Sequence, residues 1–236
     1  MEKQKECNLS GYPNVIPYES SKKIIEQMEK NICKIKIGNN QGTGFFCKIP
    51  FPTKNNMLNV FITNNHNINE ELLNRKDENI SLMIKDELDF KKINLNNRMK
   101  YTNKKFDVTI IEIKEKDNIK NYLELDDTIL NDLIDNKNRN FEYIDETIYI
   151  IHYPEGKLSV SYGVLGKIYE GKKYNFNHRC RTKGGSSGSP ILNLNNKVIG
   201  LHKEGYYNKY NIGTFLNIVI NQKKTLKIKI VSLMII

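Results

Sequence analysis

Three side chains in this chain of 236 residues have types and settings suited to nucleophilic catalysis. The first is a serine in Gly184-Gly185-Ser186-Ser187-Gly188-Ser189-Pro190, which runs into the apolar pair Ile191-Leu192. Glycine permits positive φ and leaves neighbouring N–H groups uncovered, so the segment predicts a tight turn entering a strand. The N–H groups of Gly185 and Ser187 are the candidates to hold the oxygen of a substrate carbonyl, as an oxyanion hole. A hydroxyl attacks poorly until a base takes its proton. The candidate base is His66, which follows Asn59-Val60-Phe61-Ile62-Thr63, a β-branched and aromatic run read as a strand with the histidine in the loop beyond its end. The candidate carboxylate is Asp107, which opens Phe106-Asp107-Val108-Thr109-Ile110-Ile111-Glu112-Ile113, a run of buried-strand type where an acid can be shielded and orient an imidazole. Asp77, Asp86, Asp89, Asp126 and Asp127 lie instead in polar, loop-like stretches. Taken singly, each feature is ordinary. A histidine after a strand, an aspartate before one and a Gly-Ser loop all occur for structural reasons. Together they describe a hydrolytic site.

With Gln41-Gly42-Thr43-Gly44-Phe45-Phe46 ahead of Ile62-Thr63-Asn64-Asn65-His66, and with Gly-x-Ser-Gly-Ser-Pro selecting Ser187 over Ser186 and Ser189, the chain resembles the trypsin-like serine proteases of the glutamyl-endopeptidase kind. The resemblance covers about residues 32 to 217 in motif order. It implies an all-β fold of two six-stranded antiparallel β-barrels with the cleft between them. It also implies a triad of His66, Asp107 and Ser187 acting as an endopeptidase on a protein or peptide substrate, with no metal or cofactor. In such relatives a histidine matching His202 and a threonine matching Thr182 line the primary specificity pocket, and Arg181 stands at the pocket-base position where trypsin carries an aspartate. Cleavage after Glu, with Gln or Asp as second choices, is the expected preference. Two departures from trypsin stand out. No Ile-Val-Gly-Gly-type activation site precedes the first barrel, and Ser186 occupies the position where trypsin-type zymogens use an aspartate to pair with a new N-terminal amine. That activation switch is not available here. The alternatives are a catalytically silent peptide-binding module on the protease fold and, third, an esterase using the same triad.

The elements needed to position these residues are mostly strands. Runs at 32–38, 43–49, 59–63, 80–84 and 106–113 form a first set, and runs at 147–151, 158–168, 174–180, 190–193, 197–202 and 212–217 a second. A polar stretch from 114 to 146, with a short helix near Ile129 to Ile134, connects the halves. Residues 1–31 read as an N-terminal extension with a short helix around Ser21 to Met28. The expected divisions are therefore 1–31, 32–125 for the first barrel, and 126–236 for the connection and second barrel. Net charge of +10 comes mainly from lysine, and the arginines, Arg75, Arg98, Arg139, Arg179 and Arg181, form no cluster with aromatics of the kind nucleic-acid binding requires. Cys7, Cys33, Cys47 and Cys180 show no metal spacing, and Cys33 and Cys47 fall in strands as buried thiols. The charged Met1-Glu2-Lys3-Gln4-Lys5-Glu6 start has no apolar signal core, and no run reaches the ~20 apolar residues of a membrane span. The expected setting is intracellular, in the cytoplasm and off the membrane. The oligomeric state is left open.

Overall fold

A computed structural model describes residues 11–37, 40–53, 55–74, 79–85, 90–135, 138–207 and 209–221. Helix α1 (Tyr18–Lys30) leads into β1 (Ile32–Ile37), β2 (Asn40–Pro50) and β3 (Met57–Thr63). A short helix α2 (Glu70–Asn74), β4 (Asn79–Ile84), β5 (Lys91–Asn94), β6 (Lys100–Asn103), β7 (Val108–Glu112) and β8 (Leu123–Glu124) complete the first half. Helix α3 (Asp127–Asp135) then precedes β9 (Thr147–His152), β10 (Ser159–Tyr169), β11 (Lys172–His178), β12 (Pro190–Asn193), β13 (Val198–Tyr206) and β14 (Tyr210–Phe215).

The second half is a closed antiparallel barrel in the order β10-β11-β14-β13-β12-β9. Closure leaves no free sheet edge. The first half is an eight-stranded sheet in the order β5-β4-β1-β2-β3-β7-β6, with β8 beside β2. The all-β class and the barrel architecture are as the sequence predicts, and the first sheet carries more strands than six. β1 covers β2 from Asn40 to Phe45, and β8 pairs in parallel with Cys47 and Lys48 beyond it. Strands β5 (Lys-Lys-Ile-Asn) and β6 (Lys-Tyr-Thr-Asn) sit at the two ends of the sheet. Edge strands are short and lysine-bearing, which suppresses pairing with other chains and erases the apolar alternation that would reveal them in sequence.

The central strands β2, β3 and β7 of the first sheet send apolar residues to both faces. Phe46, Phe61 and Ile111 point into one core with Ile35, Leu82 and Ile93. Their neighbours Phe45, Val60, Ile62 and Ile110 point the other way, into a core shared with Ile150, Ile191 and Leu201 of the barrel. The period of two along each strand thus assigns one face to the half's own interior and one to the junction. Cys33, Cys47 and Cys180 are buried free thiols. Among the described residues, no helix is long and apolar enough to cross a membrane.

Helix α1 is longer than the sequence predicts and is fastened to the barrel. Ile24 enters the shared core while Ile25 is exposed. The Tyr149 hydroxyl donates to Gln27 Oε1 at 2.9 Å, and Gln27 Nε2 donates to the Asn196 carbonyl at 2.9 Å. Replacing a fully buried isoleucine by alanine removes transfer energy and leaves a cavity. Ile24→Ala is therefore expected to destabilise the protein by about 3 kcal/mol in urea unfolding; an unchanged midpoint would show that α1 is not part of the cooperative unit.

Candidate active site

His66 lies in a turn just past β3, and Asp107 immediately before β7, the neighbouring strand. The Asn64 carbonyl accepts the N–H groups of Asn67 and Ile68, which curls the chain after β3 and carries His66 outward. Its side chain is 48% exposed, against 9% for that of Asp107. Asp107 adopts φ of 54°, a left-handed conformation that short polar side chains tolerate better than others. Asn64 Nδ2 donates to its carbonyl at 2.8 Å. Asp107 then grips the histidine at two points: its Oδ1 accepts the His66 backbone N–H at 3.0 Å, and its Oδ2 lies 2.8 Å from His66 Nδ1. A ring nitrogen facing a carboxylate is the protonated one, so Nε2 is left as the base nitrogen.

Ser187 belongs to the turn between β11 and β12. Gly185 has φ of 93° and Gly188 φ of 88°. A Cβ on Gly188 would stand 2.2 Å from the Thr43 carbonyl and 2.4 Å from Thr63 Oγ1, so that position admits glycine alone. Thr43 donates its N–H to the Ser187 carbonyl at 2.9 Å and its hydroxyl to the Gly185 carbonyl at 2.7 Å. Asn67 Nδ2, one residue beyond the histidine, also donates to the Ser187 carbonyl, at 3.0 Å. The Gly184 carbonyl accepts from Glu155 N–H at 2.7 Å, and the Ser186 carbonyl from Ser189. In a trans peptide the N–H points opposite to the preceding carbonyl. The Gly185 and Ser187 N–H groups are thus turned away from those partners, and neither has an acceptor among the described residues. The Ser187 hydroxyl itself donates to the Lys203 carbonyl at 3.2 Å. The structure brings His66 and Asp107 into contact and ties the Ser187 backbone to the histidine turn, but it does not bond Ser187 Oγ to His66.

Beside Ser187 a cleft of about 930 Å³ opens, lined by Thr182, Arg181, His202, Gly205 and Tyr206 among others. Of the residues expected there, Arg181 is exposed. The Thr182 hydroxyl donates to Asn211 Oδ1 at 2.9 Å, and Asn211 Nδ2 to the Cys180 carbonyl at 2.6 Å, so the threonine proton is committed within the wall. His202 is 2% exposed, and its Nδ1 lies 3.1 Å from His178 Nε2. Burial pushes His178 down to about 3 and His202 well below the ordinary imidazole range. A third histidine behind the cleft, His152, is lowered to about 4 by burial. Nothing in the sequence singled out His178, His152, Thr43, Asn67 or Asn211. Their partners lie far along the chain, and only the Gly-Thr-Gly spacing around Thr43 offered a cue. Asp126 lies in a loop just before α3, as the sequence reads, and is buried: it caps α3 through the Thr128 N–H and accepts from Tyr143 and Asn193. Those partners, not exposure, separate it from the histidine. Asp77, Asp86 and Asp89 lie outside the described residues.

The trypsin-like peptidase domain matches residues 42–201, which include both turns. The chain belongs to the trypsin-like peptidase family. It is 36% identical over 80 residues to a glutamyl endopeptidase of Staphylococcus epidermidis, covering 34% of this chain and 28% of that protein. A glutamyl endopeptidase of Staphylococcus aureus is 35% identical over 75 residues, or 31% of this chain and 22% of its own length. The match therefore spans less than a third of these curated relatives. Among solved structures, the inactive form of the Rv3671c protease superposes with a TM-score of 0.61 at 15% identity, covering 91% of this chain and 97% of its own. Deg5 superposes with a TM-score of 0.59 at 14% identity, covering 86% and 91%. At that identity the likeness speaks for the fold. The mostly β architecture agrees with membership of the trypsin-like peptidase family.

The three buried imidazoles are neutral in the folded protein and take up protons near pH 6.5 once unfolded. Unfolding then binds protons, so their contribution is fully present above about pH 6.5 and is lost as pH falls toward about 4, with a slope up to about 1.4 kcal/mol per pH unit for each group. Urea midpoints are expected to drop between about pH 7.5 and about pH 5. Constant stability over that window would contradict neutral burial.

Proposed function

We propose that this chain is a serine endopeptidase in which Ser187 attacks a peptide carbonyl, His66 is the base and Asp107 its orienting partner. The observation that carries the proposal is the two-point grip of Asp107 on His66, at 3.0 Å and 2.8 Å, beside a serine turn with two uncommitted N–H groups. The Ser187 hydroxyl turns from the Lys203 carbonyl to His66 Nε2 and gives up its proton as it attacks. The N–H groups of Gly185 and Ser187 hold the oxyanion, His66 protonates the leaving amine, and water releases the acyl group.

The reading extends to Glu before the scissile bond. His178 Nδ1 is buried without a partner. An orphaned acceptor is tolerated better than an orphaned N–H. This favours the tautomer in which His178 Nε2–H donates to His202 Nδ1, leaving His202 Nε2–H as a donor toward the cleft. The lining also carries Arg179, Arg181, Lys183 and Lys209 against a single acid, Glu204. Such a rim attracts an acidic side chain. The partial likeness to glutamyl endopeptidases agrees with this preference. The substrate is a protein or peptide, and its strand pairs with Lys203-Glu204-Gly205. A second reading, a silent peptide-binding module, draws on the bond between the Ser187 hydroxyl and the Lys203 carbonyl.

Ser187→Ala is expected to lower casein or peptide hydrolysis by about 10⁴–10⁶ with little change in stability. Wild type should label with a fluorophosphonate and the variant should not. Absence of labelling and turnover in folded wild type favours the silent module. For specificity, mass-spectrometric mapping on a mixed peptide pool should show cleavage after Glu. His202→Ala should cut the Glu preference by about 10-fold or more, the worth of one hydrogen bond to a charged group. Preference for Lys, Arg or large aromatic residues would refute the pocket assignment and leave the triad standing.

A further inference from the structure

The serine turn is open at its start and packed further on, where a Cβ on Gly185 would stand 2.4 Å from the Tyr153 carbonyl. A Cβ on Gly184 would meet nothing within 4 Å, and Gly185 sits at positive φ. Its shape depends on hydrogen bonds, and one chain of them runs through a residue with no assigned role. His152 ends β9 and is 2% exposed; Ser186, between the two residues whose N–H groups have no acceptor among the described residues, is 1% exposed. His152 Nδ1 lies 2.9 Å from Ser186 Oγ, and His152 Nε2 lies 3.1 Å from Ser161 Oγ on β10.

Every proton in this chain can be placed. The Ser161 hydroxyl donates to the Arg181 carbonyl at 2.7 Å, so its oxygen must accept from His152 Nε2–H. The ring then has one proton, on Nε2, and Nδ1 accepts the Ser186 hydroxyl proton. Ser186 Oγ in turn accepts the Lys183 N–H at 3.1 Å. Depression of the imidazole pKa to about 4 by burial agrees with a neutral ring. The relay thus fastens both ends of the turn, at Arg181 and Lys183 on one side and Ser186 on the other, to two adjacent strands of the barrel.

We propose that His152 is a positioning residue which, through Ser186, holds the Gly185 and Ser187 N–H groups toward the cleft in a chain that has no aspartate at position 186 to do so. The Ser187 N–H shares its peptide plane with the Ser186 carbonyl, so release of Ser186 would swing it directly, and the Gly185 N–H, in the Gly184–Gly185 plane, would shift with the backbone from Lys183 to Ser186. Misplaced donors weaken stabilisation of a developing oxyanion more than they weaken ground-state binding. The inference rests on the peptidase reading above.

The test is steady-state kinetics on a quenched peptide, together with binding of a peptide boronic acid, which mimics the tetrahedral state, and of a product peptide. His152→Ala and Ser186→Ala should each lower kcat by about 10- to 100-fold, part of the loss expected for a missing oxyanion donor. KM and product affinity should change little, and boronate affinity should fall in step with kcat. His152→Asn, whose Oδ1 can still accept from Ser186, should recover part of the rate. The double variant His152→Ala/Ser186→Ala should be no slower than the worse single variant, as for residues acting as one unit. Unchanged kcat in either folded variant overturns the proposal. So do losses that multiply in the double variant, or a parallel loss of product affinity and boronate affinity. If His152→Ala does not fold, the Ser186→Ala result decides, because it removes only one oxygen. Wild type that hydrolyses nothing in a Ser187-dependent way overturns the peptidase reading and this inference with it. Activity that survives in the His152 and Ser186 variants overturns the inference alone.

Discussion

The arrangement depends on a polar seam between the two halves, built around Thr43. Its N–H and hydroxyl both reach the serine turn, at 2.9 Å and 2.7 Å, and its carbonyl accepts from Thr63 Oγ1 at 2.8 Å. Its hydroxyl oxygen also accepts the Tyr153 N–H at 3.0 Å. Asn67 closes the seam by donating to both Thr63 Oγ1 and the Ser187 carbonyl. Thr43 is fully buried. Each of these groups would cost about 1–3 kcal/mol if left unpaired, so the seam has one satisfied geometry and resists sliding. The glycines follow from it. A Cβ on Gly42 would strike Asn67 at 2.5 Å, and one on Gly188 would strike Thr43 and Thr63.

The cores on either side make that seam possible. Because β2, β3 and β7 are apolar on both faces, the first sheet has no free face on which to re-dock. The chemistry-bearing residues appear where these strands end. His66 follows β3, and Asp107 precedes β7 in a left-handed conformation held by Asn64. Antiparallel pairing of β3 with β7 sets Thr63 opposite Thr109, so the end of one strand meets the start of the other. Register, rather than loop flexibility, delivers the carboxylate to the imidazole.

This explains which features were legible in sequence. The serine turn, His66 and Asp107 each combine a reactive side chain with a local signature, namely glycines, a strand end, or an apolar run. The strands of the cores are legible for the same local reason. β5, β6 and β8 are not, since edge strands and a two-residue bridge carry lysine, asparagine and glutamate rather than alternation. Asp126 stands in a loop-like stretch, as the sequence reads, but its burial is not legible there, because it rests on Tyr143 and Asn193, 17 and 67 residues away. His152 follows the strand-like run 147–151 without a signature of its own, and its meaning lies in Ser186, 34 residues on. Supporting residues are defined by partners, and single-sequence patterns do not encode distant partners.

The cleft places its charges and its histidines differently. His152, His178 and His202 are buried and neutral, while the cations Arg181 and Lys183 stand exposed at the rim. Exposed charges act at range and are screened by salt over about 8 Å at physiological ionic strength. A buried N–H acts only at contact and is insensitive to salt. Under the proposed preference for Glu, attraction of an acidic chain and recognition of its side chain are therefore separable. The first belongs to a lysine- and arginine-rich surface that other substitutions could rebuild. In the proposed pocket the second falls to the His178–His202 pair, where burial forbids a resident cation and leaves shape and one oriented donor to discriminate. A carboxylate seated against His202 would itself favour the charged imidazole, since opposite charge at close range offsets desolvation. The neutral pair thus suits a site that is empty of charge until an acidic side chain brings its own.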